Sequence, residues 1–107
     1  MRTDVQKRKI LAVCGRNKKR SLTAETIFKG HPTISMRSAG VSPAARHVVT
    51  QVDAAWADEI WCMELKHQER LRLLFPTLKV PVRVLDIPDE YEYMDDELVE
   101  ILLLLSK

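Results

Sequence analysis

The sequence has few cysteines and no cysteine motif that would bind a metal. Cys14 and Cys62 are the only two, and they lie far apart with no Cys-x-x-Cys pair. The histidines His31, His47 and His67 are scattered, so no metal spacing arises, and each is expected to be exposed or half-buried. We therefore expect no metal site, and two free thiols in a reducing cytoplasm.

Long apolar runs are also missing. The longest, Ile101 to Leu105, is far short of the roughly 20 residues that a membrane-spanning helix needs. The apolar run after the basic N-terminus is too short for a secretory signal. Repeats, low-complexity stretches and linkers are absent, and 107 residues are the usual size of one domain. The sequence thus predicts a single domain, 1–107, that contacts no membrane.

Neither sign of charge dominates the chain as a whole. The net charge is only +2 at pH 7, which argues against a general polyanion binder. Basic residues concentrate between Met1 and Arg20, and acidic residues from Asp86 onward. We expect a basic face suited to anionic partners and a separate acidic face.

The sequence does contain a regular alternation of apolar strands and helices. Strands are predicted at 9–14, 33–40, 59–63 and 80–87, and helices at 21–30, 42–57, 66–75 and 95–105. The second helix is predicted from a Ser-Pro entry and the helical spacing of Val48, Val49, Val52 and Ala55. This order favours an α/β fold with three layers, in which a four-stranded parallel sheet carries helices on both faces. Ligands bind such sheets beyond the carboxyl ends of the strands.

Cys14 lies at such a strand end, and a short basic loop separates it from Arg20 and Ser21. A loop of this length can curl so that its amides and the helix N-terminus form a cradle the size of a phosphate. Arg20 can hold two phosphate oxygens with its planar guanidinium. The cradle would also stabilise a thiolate, to which Ser21 can donate, and would aim it at phosphorus. The alternative is a buried strand-end cysteine beside a solvated loop.

This region resembles the signature of the low-molecular-weight protein tyrosine phosphatases and of the arsenate reductases that share their fold. The stretch ILAVCGRNKKRSLTAE carries the resemblance, which continues in RSAG, WADEIWCMELKH and DIPDEYEYMDDEL and spans Lys9 to about Leu105. It implies that family's four-stranded fold and a cysteinyl-phosphate mechanism without metal or other cofactor. Cys14 would be the nucleophile and Arg20 the phosphate ligand.

The same resemblance assigns the phosphate loop and its departures from the family. The phosphate-binding residues would be Gly15, Arg16, Asn17, Lys18, Lys19 and Ser21. Asn17 matches an Asn that holds the loop in shape. Arg16 stands where the family usually has Gly, Lys19 replaces a frequent second cysteine, and Leu22 replaces a usual Pro. The chain is also shorter than typical members, mostly after Gly40, where the substrate rim is shaped.

Two aspartates, Asp86 and Asp89, flank Ile87-Pro88 and compete for the role of proton donor. Hydrolysis needs an acid for the leaving oxygen and then a base for water. Counting back from the last helix favours Asp89, counting forward from the strand favours Asp86, and Asp89 is preferred. Tyr91 and Tyr93 resemble the family's aromatic wall beside the phosphate; packing on the sheet edge is the alternative.

The predicted function is phosphomonoester hydrolysis by a protein tyrosine phosphatase, acting on a phosphorylated protein or a small phosphomonoester. Arsenate reduction is an alternative, but Cys62, interpreted as a packed strand residue, would reach Cys14 poorly. A non-catalytic module that uses Arg16, Lys18 and Lys19 to bind phosphate or nucleic acid is a further alternative, less favoured. The stretch KHQERLR is interpreted as a solvated helix face. No feature of the sequence fixes an oligomeric state.

Overall fold

A computed structural model describes residues 6–107, and strands and helices alternate along them. The strands are β1 (Arg8–Cys14), β2 (Ile34–Gly40), β3 (Glu59–Cys62) and β4 (Val82–Val84). The helices are α1 (Arg20–Ile27), α2 (Gln51–Trp56), α3 (Leu65–Leu74) and α4 (Asp96–Leu105). All strand pairs are parallel, in the order β2-β1-β3-β4. The predicted α/β class and four-stranded parallel sheet are confirmed.

Strand β1 lies inside the sheet and is buried on both faces. Leu11 and Val13 pack into the core under α2 and α3, whereas Ala12 and Cys14 face the core under α1 and α4. A strand covered on both faces has a continuous apolar sequence rather than an alternating one, which is why residues 10–13 are all apolar. The two helical layers follow from this double burial.

The helix predicted over 42–57 is wrong in its first half, because α2 begins only at Gln51. Gly40 accounts for the difference. Its amide donates to the His47 carbonyl and its carbonyl accepts from the Val49 amide, both at 2.9 Å. These bonds hold residues 47–49 beside the end of β2, so they cannot enter a helix.

A capping box at Thr50 sets the start of α2. The Thr50 hydroxyl accepts from the Asp53 amide at 3.1 Å, and the Asp53 carboxylate accepts from the Thr50 amide at 2.9 Å. Burial alone would raise the pKa of Asp53, but the Thr50 and His47 hydrogen bonds hold that pKa below its usual value. Asp53 and Ala54 are therefore buried and Val52 is exposed, contrary to the predicted apolar face.

The carboxyl ends of the strands define one edge of the sheet, where the connecting loops meet. Cys14 ends β1, Gly40 ends β2 and Cys62 ends β3. No helix within residues 6–107 combines the length and apolarity needed to cross a bilayer.

Candidate active site

A cavity of about 670 Å³ opens at this edge, beside Cys14. Its walls come from the loops that follow β1, β2 and β4 and from helix α3. Of the residues proposed from the sequence, those that line the cavity are Cys14, Gly15, Arg16, Lys18, Lys19, Arg20 and Asp89. Within the described residues, no cluster of histidine, cysteine or carboxylate side chains could hold a metal ion.

The Cys14 sulfur is held by donors from the loop that follows it. The Asn17 amide donates to Sγ at 3.2 Å, and the Ser21 hydroxyl lies 3.0 Å from Sγ. Asn17 Nδ2 donates to that hydroxyl oxygen at 2.8 Å, which leaves the hydroxyl hydrogen free for the sulfur. N–H and O–H donors directed at a sulfur stabilise the thiolate form.

Asn17 gives the loop its curl. It is fully buried and has φ of +58°, a left-handed conformation that Asn tolerates better than most residues. Arg46 donates to the Asn17 carbonyl at 3.2 Å and to its side-chain oxygen at 2.9 Å. Arg16 is not among the residues with positive φ, so its side chain causes no left-handed strain where the family usually has Gly. Sequence reasoning missed Arg46, which it placed in a helix.

The curled loop leaves several main-chain donors without protein partners. Within residues 6–107, no acceptor takes a hydrogen bond from the amides of Gly15, Arg16, Lys18 or Lys19. All four residues line the cavity next to Cys14, and amides without a partner are available to an anion. Asn17 and Ser21 lie beneath that wall, so they support the loop and do not line the cavity.

Arg20 is anchored at the cavity wall by two acceptors. It is 4% exposed, and one terminal nitrogen donates to the Glu64 carboxylate and, at 2.7 Å, to the Ile87 carbonyl. Its other terminal nitrogen lies 3.9 Å from Asp89 Oδ1. Burial would raise the pKa of Glu64, but the hydrogen bond and charge of Arg20 hold that pKa below its usual value. Glu64, the second residue after β3, was not singled out from the sequence.

The structure separates the two candidate acids. Asp89 lines the cavity, whereas Asp86 is exposed, has φ of +56° and does not line it. Tyr91 packs against the core under α4, and the Tyr93 hydroxyl lies 3.0 Å from the Thr26 hydroxyl. Neither ring is among the residues that line the cavity. Both rings lie on the α1 and α4 side, which favours the packing alternative over the predicted aromatic wall.

His67 is the clearest correction to the expected solvated face of α3. It is 2% exposed and lines the cavity. Its Nδ1 accepts from the Glu64 amide at 3.0 Å, so the ring hydrogen is on Nε2. Nε2 lies 3.8 Å from where a Cβ of Gly15 would be. Burial, together with the charge of Arg20, lowers the pKa of His67 to about 4, so the ring is neutral at pH 7.

Cys62 packs in the core, as its strand position predicts. Its side chain is fully buried on β3, and burial raises the pKa of its thiol to about 12. Arsenate reduction would need a second thiol that can reach Cys14 as a nucleophile. A buried, protonated Cys62 does not supply one.

Solved structures match this chain over nearly its whole length, whereas no protein-family model and no curated protein matches its sequence. The YwlE arginine phosphatase from Geobacillus stearothermophilus is 22% identical, with a TM-score of 0.74 over 92% of this chain and 90% of that one. The tyrosine phosphatase Wzb from Escherichia coli K30, in complex with phosphate, is 22% identical, with a TM-score of 0.74 over 94% of each chain.

A low-molecular-weight phosphotyrosine phosphatase from Vibrio cholerae O395 is also 22% identical, with a TM-score of 0.66 over 91% of this chain and 88% of that one. The chain has the low-molecular-weight tyrosine phosphatase fold. Within that fold, the loop that starts at Cys14 occupies the carboxyl edge of the sheet, where parallel α/β folds bind their ligands.

Gly40 packs closely against the loop that starts at Cys14, and Gly40→Ala is expected to disrupt that loop. An added Cβ would collide with the Gly15 carbonyl oxygen and lie 2.6 Å from the Ala45 Cβ. We expect the free energy of unfolding, measured by urea denaturation, to fall by about 3 kcal/mol, since neither neighbour can move without shifting backbone. Gly15→Ala is the control, because its nearest atom would be 3.8 Å away. Equal losses in the two variants would contradict this packing argument.

His67 is expected to make the folded protein sensitive to acid. Its pKa is about 4 when folded against 6.5 ordinarily, so the unfolded chain binds more protons between those values. The stability from neutral His67 is fully present above pH 6.5 and is lost as pH falls towards 4. Between pH 7 and pH 4, wild type should lose about 3 kcal/mol more than His67→Gln in urea denaturation. Parallel pH curves for the two proteins would refute this.

Proposed function

We propose that the protein is a phosphomonoester hydrolase that acts through a cysteinyl-phosphate intermediate. One observation carries the proposal. The Cys14 sulfur, at a cavity wall, accepts a hydrogen bond from the Asn17 amide and lies within hydrogen-bond distance of the Ser21 hydroxyl. Arg20 is anchored beside the same cavity. The structural neighbours, which include an arginine phosphatase and tyrosine phosphatases, support the proposal.

In the first step, the unpaired loop amides and Arg20 bind the phosphate oxygens and offset their charge. The Cys14 thiolate attacks phosphorus, so that an S–P bond forms while the bond from phosphorus to the ester oxygen breaks. Asp89, in its acid form, gives its proton to the departing oxygen, which leaves as an alcohol or phenol. Asp89 is assigned this role over Asp86 because only Asp89 lines the cavity.

In the second step, water resolves the intermediate. The Asp89 carboxylate takes a proton from the water as its oxygen bonds to phosphorus, and the S–P bond breaks. The Ser21 hydroxyl, 3.0 Å from Sγ, stabilises the departing thiolate by donating to it. Inorganic phosphate is released, and Cys14 and Asp89 return to their starting forms. No metal or other cofactor takes part in these steps.

The proposed substrate is a phosphorylated protein or a small phosphomonoester. Phosphotyrosine is the form that the sequence resemblance implies, and two of the compared neighbours carry that activity in their names. The absence of Tyr91 and Tyr93 from the cavity removes one reason for a strong aromatic preference. The free thiol of Cys14 suits a reducing cytoplasm.

Trapping the intermediate tests this function. The protein is mixed with p-nitrophenyl phosphate, quenched in acid within one turnover and digested for mass spectrometry. We expect one phosphoryl group on the peptide that contains Cys14, and release of p-nitrophenol. Phosphate binding with no turnover of any phosphomonoester would instead indicate a non-catalytic binding module.

A further inference from the structure

The cavity carries more positive charge than one phosphate requires. Six lysine and arginine side chains line it, against a single carboxylate, Asp89, among the residues described. These cations come from two sides. Four belong to the phosphate loop and the start of α1, and two, Lys66 and Arg70, belong to α3.

Part of this charge is already compensated by carboxylates. Arg20 pairs with Glu64, and Lys19 lies 3.3 Å from the exposed Glu92. Lys66 is 3.9 Å from the same Glu64 carboxylate and is largely exposed. In the described part of the chain, by contrast, Arg16, Lys18 and Arg70 form no ion pair. An uncompensated positive field therefore remains on both sides of the cavity.

The cavity-lining side chains of α3 form a surface that we call the α3 rim: Lys66, His67 and Arg70. Positions four apart, such as 66 and 70, and three apart, such as 67 and 70, lie on one face of a helix. His67 is buried, and its Nε2–H is not the group held by Glu64. This N–H lies close to Gly15, at the beginning of the phosphate loop. The α3 rim is thus continuous with the phosphate site.

We propose that the α3 rim is a second anion subsite, and that the substrate is a phosphate ester bearing a second anionic group, either a phosphate or a carboxylate. The proposal depends on the proposed function only for placing the first phosphate against Cys14. Arg70 can bind the second anion with its planar guanidinium, and Lys66 adds a point charge. Neutral His67 adds one N–H donor where the two subsites meet.

The positions of Tyr91 and Tyr93 fit this specificity. Tyr91 and Tyr93 lie outside the cavity, so no tyrosine ring of the predicted wall stacks on a substrate there. The walls of the cavity can therefore distinguish one phosphate ester from another by charge rather than by aromatic stacking. A substrate with two anions would use both the phosphate loop and the α3 rim.

Binding of two non-hydrolysable probes tests the subsite without relying on catalysis. Methylphosphonate carries one phosphonate, and methylenebisphosphonate carries two. Calorimetry at fixed ionic strength is expected to show that wild type binds the bisphosphonate at least about ten-fold more tightly, as one or two added charge-assisted hydrogen bonds would give. In Arg70→Gln the ratio should fall to about three-fold or less, because the planar donor is lost.

Arg72→Gln is the matched control. Arg72 is on the same helix, is exposed and does not line the cavity, so this variant should keep the wild-type ratio. A ratio near one in wild type, or equal falls in Arg70→Gln and Arg72→Gln, would overturn the subsite. If wild type turns over p-nitrophenyl phosphate but shows a binding ratio near one, the proposed hydrolase function is supported and the second anion subsite is refuted. Selective bisphosphonate binding without turnover would keep the subsite and refute the hydrolase.

Discussion

Changing Cys14 to serine is expected to lower turnover of p-nitrophenyl phosphate by at least about a thousand-fold, because a serine hydroxyl is a weak nucleophile without an adjacent base. The loop donors should still bind anions. The Asn17 amide, which now donates to sulfur at 3.2 Å, can donate to an oxygen at the same position. Steady-state kinetics with phosphate binding by calorimetry would show lost turnover and retained affinity, within a few-fold.

Cys62→Ala is the matched control for this experiment, because it removes the other thiol of the chain. Cys62 is buried in β3 and does not line the cavity. The variant should keep most of the wild-type turnover per folded molecule. Wild-type turnover in Cys14→Ser, or loss of turnover in Cys62→Ala without unfolding, would exclude Cys14 as the only nucleophile.

Changing Asp89 to asparagine is expected to lower kcat for phenyl phosphate by about a hundred- to ten-thousand-fold, the range for loss of a general acid. Asparagine keeps the size of the side chain but has no proton to give to the leaving oxygen. The effect should be smaller for p-nitrophenyl phosphate, whose leaving group needs less protonation. The ratio of kcat values for the two esters, in wild type and variant, measures this dependence.

Asp86→Asn is the control for the second aspartate of this loop. Asp86 has φ of +56°, a conformation that asparagine also tolerates, so the substitution should not disturb the backbone. Its kcat for both esters should stay within about two-fold of wild type, since groups outside the catalytic contacts have small effects. If Asp86→Asn were the more damaging substitution, the assignment of the acid would be reversed.

The parts of the site that come from one continuous stretch were accessible from the sequence. Cys14, Arg20 and Ser21 are close in the chain, and the apolar run before them fixes where the strand ends. Strand, loop and helix therefore bring these groups together, although Glu64 and the Ile87 carbonyl, from other segments, anchor Arg20. The unpartnered loop amides follow from the same local order.

The groups that arrive from distant segments were not accessible in this way. Arg46 reaches Asn17 because Gly40 holds the following residues beside β2, and helical spacing of valines gave the opposite prediction. His67 belongs to the stretch KHQERLR, which by itself has the composition of a solvated helix, and Glu64 stands just before it. Arg20, from another part of the chain, donates to Glu64, and Gly15 lies close to His67.

Tyr91 shows the same limit from the other direction. Its position after the last strand suggested a place beside the phosphate, but the aromatic ring contributes more by covering apolar surface near α4. The position of Tyr91 in the sequence determines which loop it belongs to. The direction in which its ring points depends on whether the ring is better buried or exposed. That competition is decided by the tertiary packing.

A crystal structure of the protein with vanadate would show whether Cys14, the loop amides and Arg20 act on one bound group, because vanadate adopts the five-coordinate geometry of phosphoryl transfer. We predict vanadium bonded to the Cys14 sulfur, its equatorial oxygens on the amides of Gly15, Arg16, Lys18 and Lys19 and on the Arg20 guanidinium, and Asp89 facing the apical oxygen. Vanadate bound only to outer lysines, or a loop turned so that its amides face away from the sulfur, would contradict the proposed mechanism.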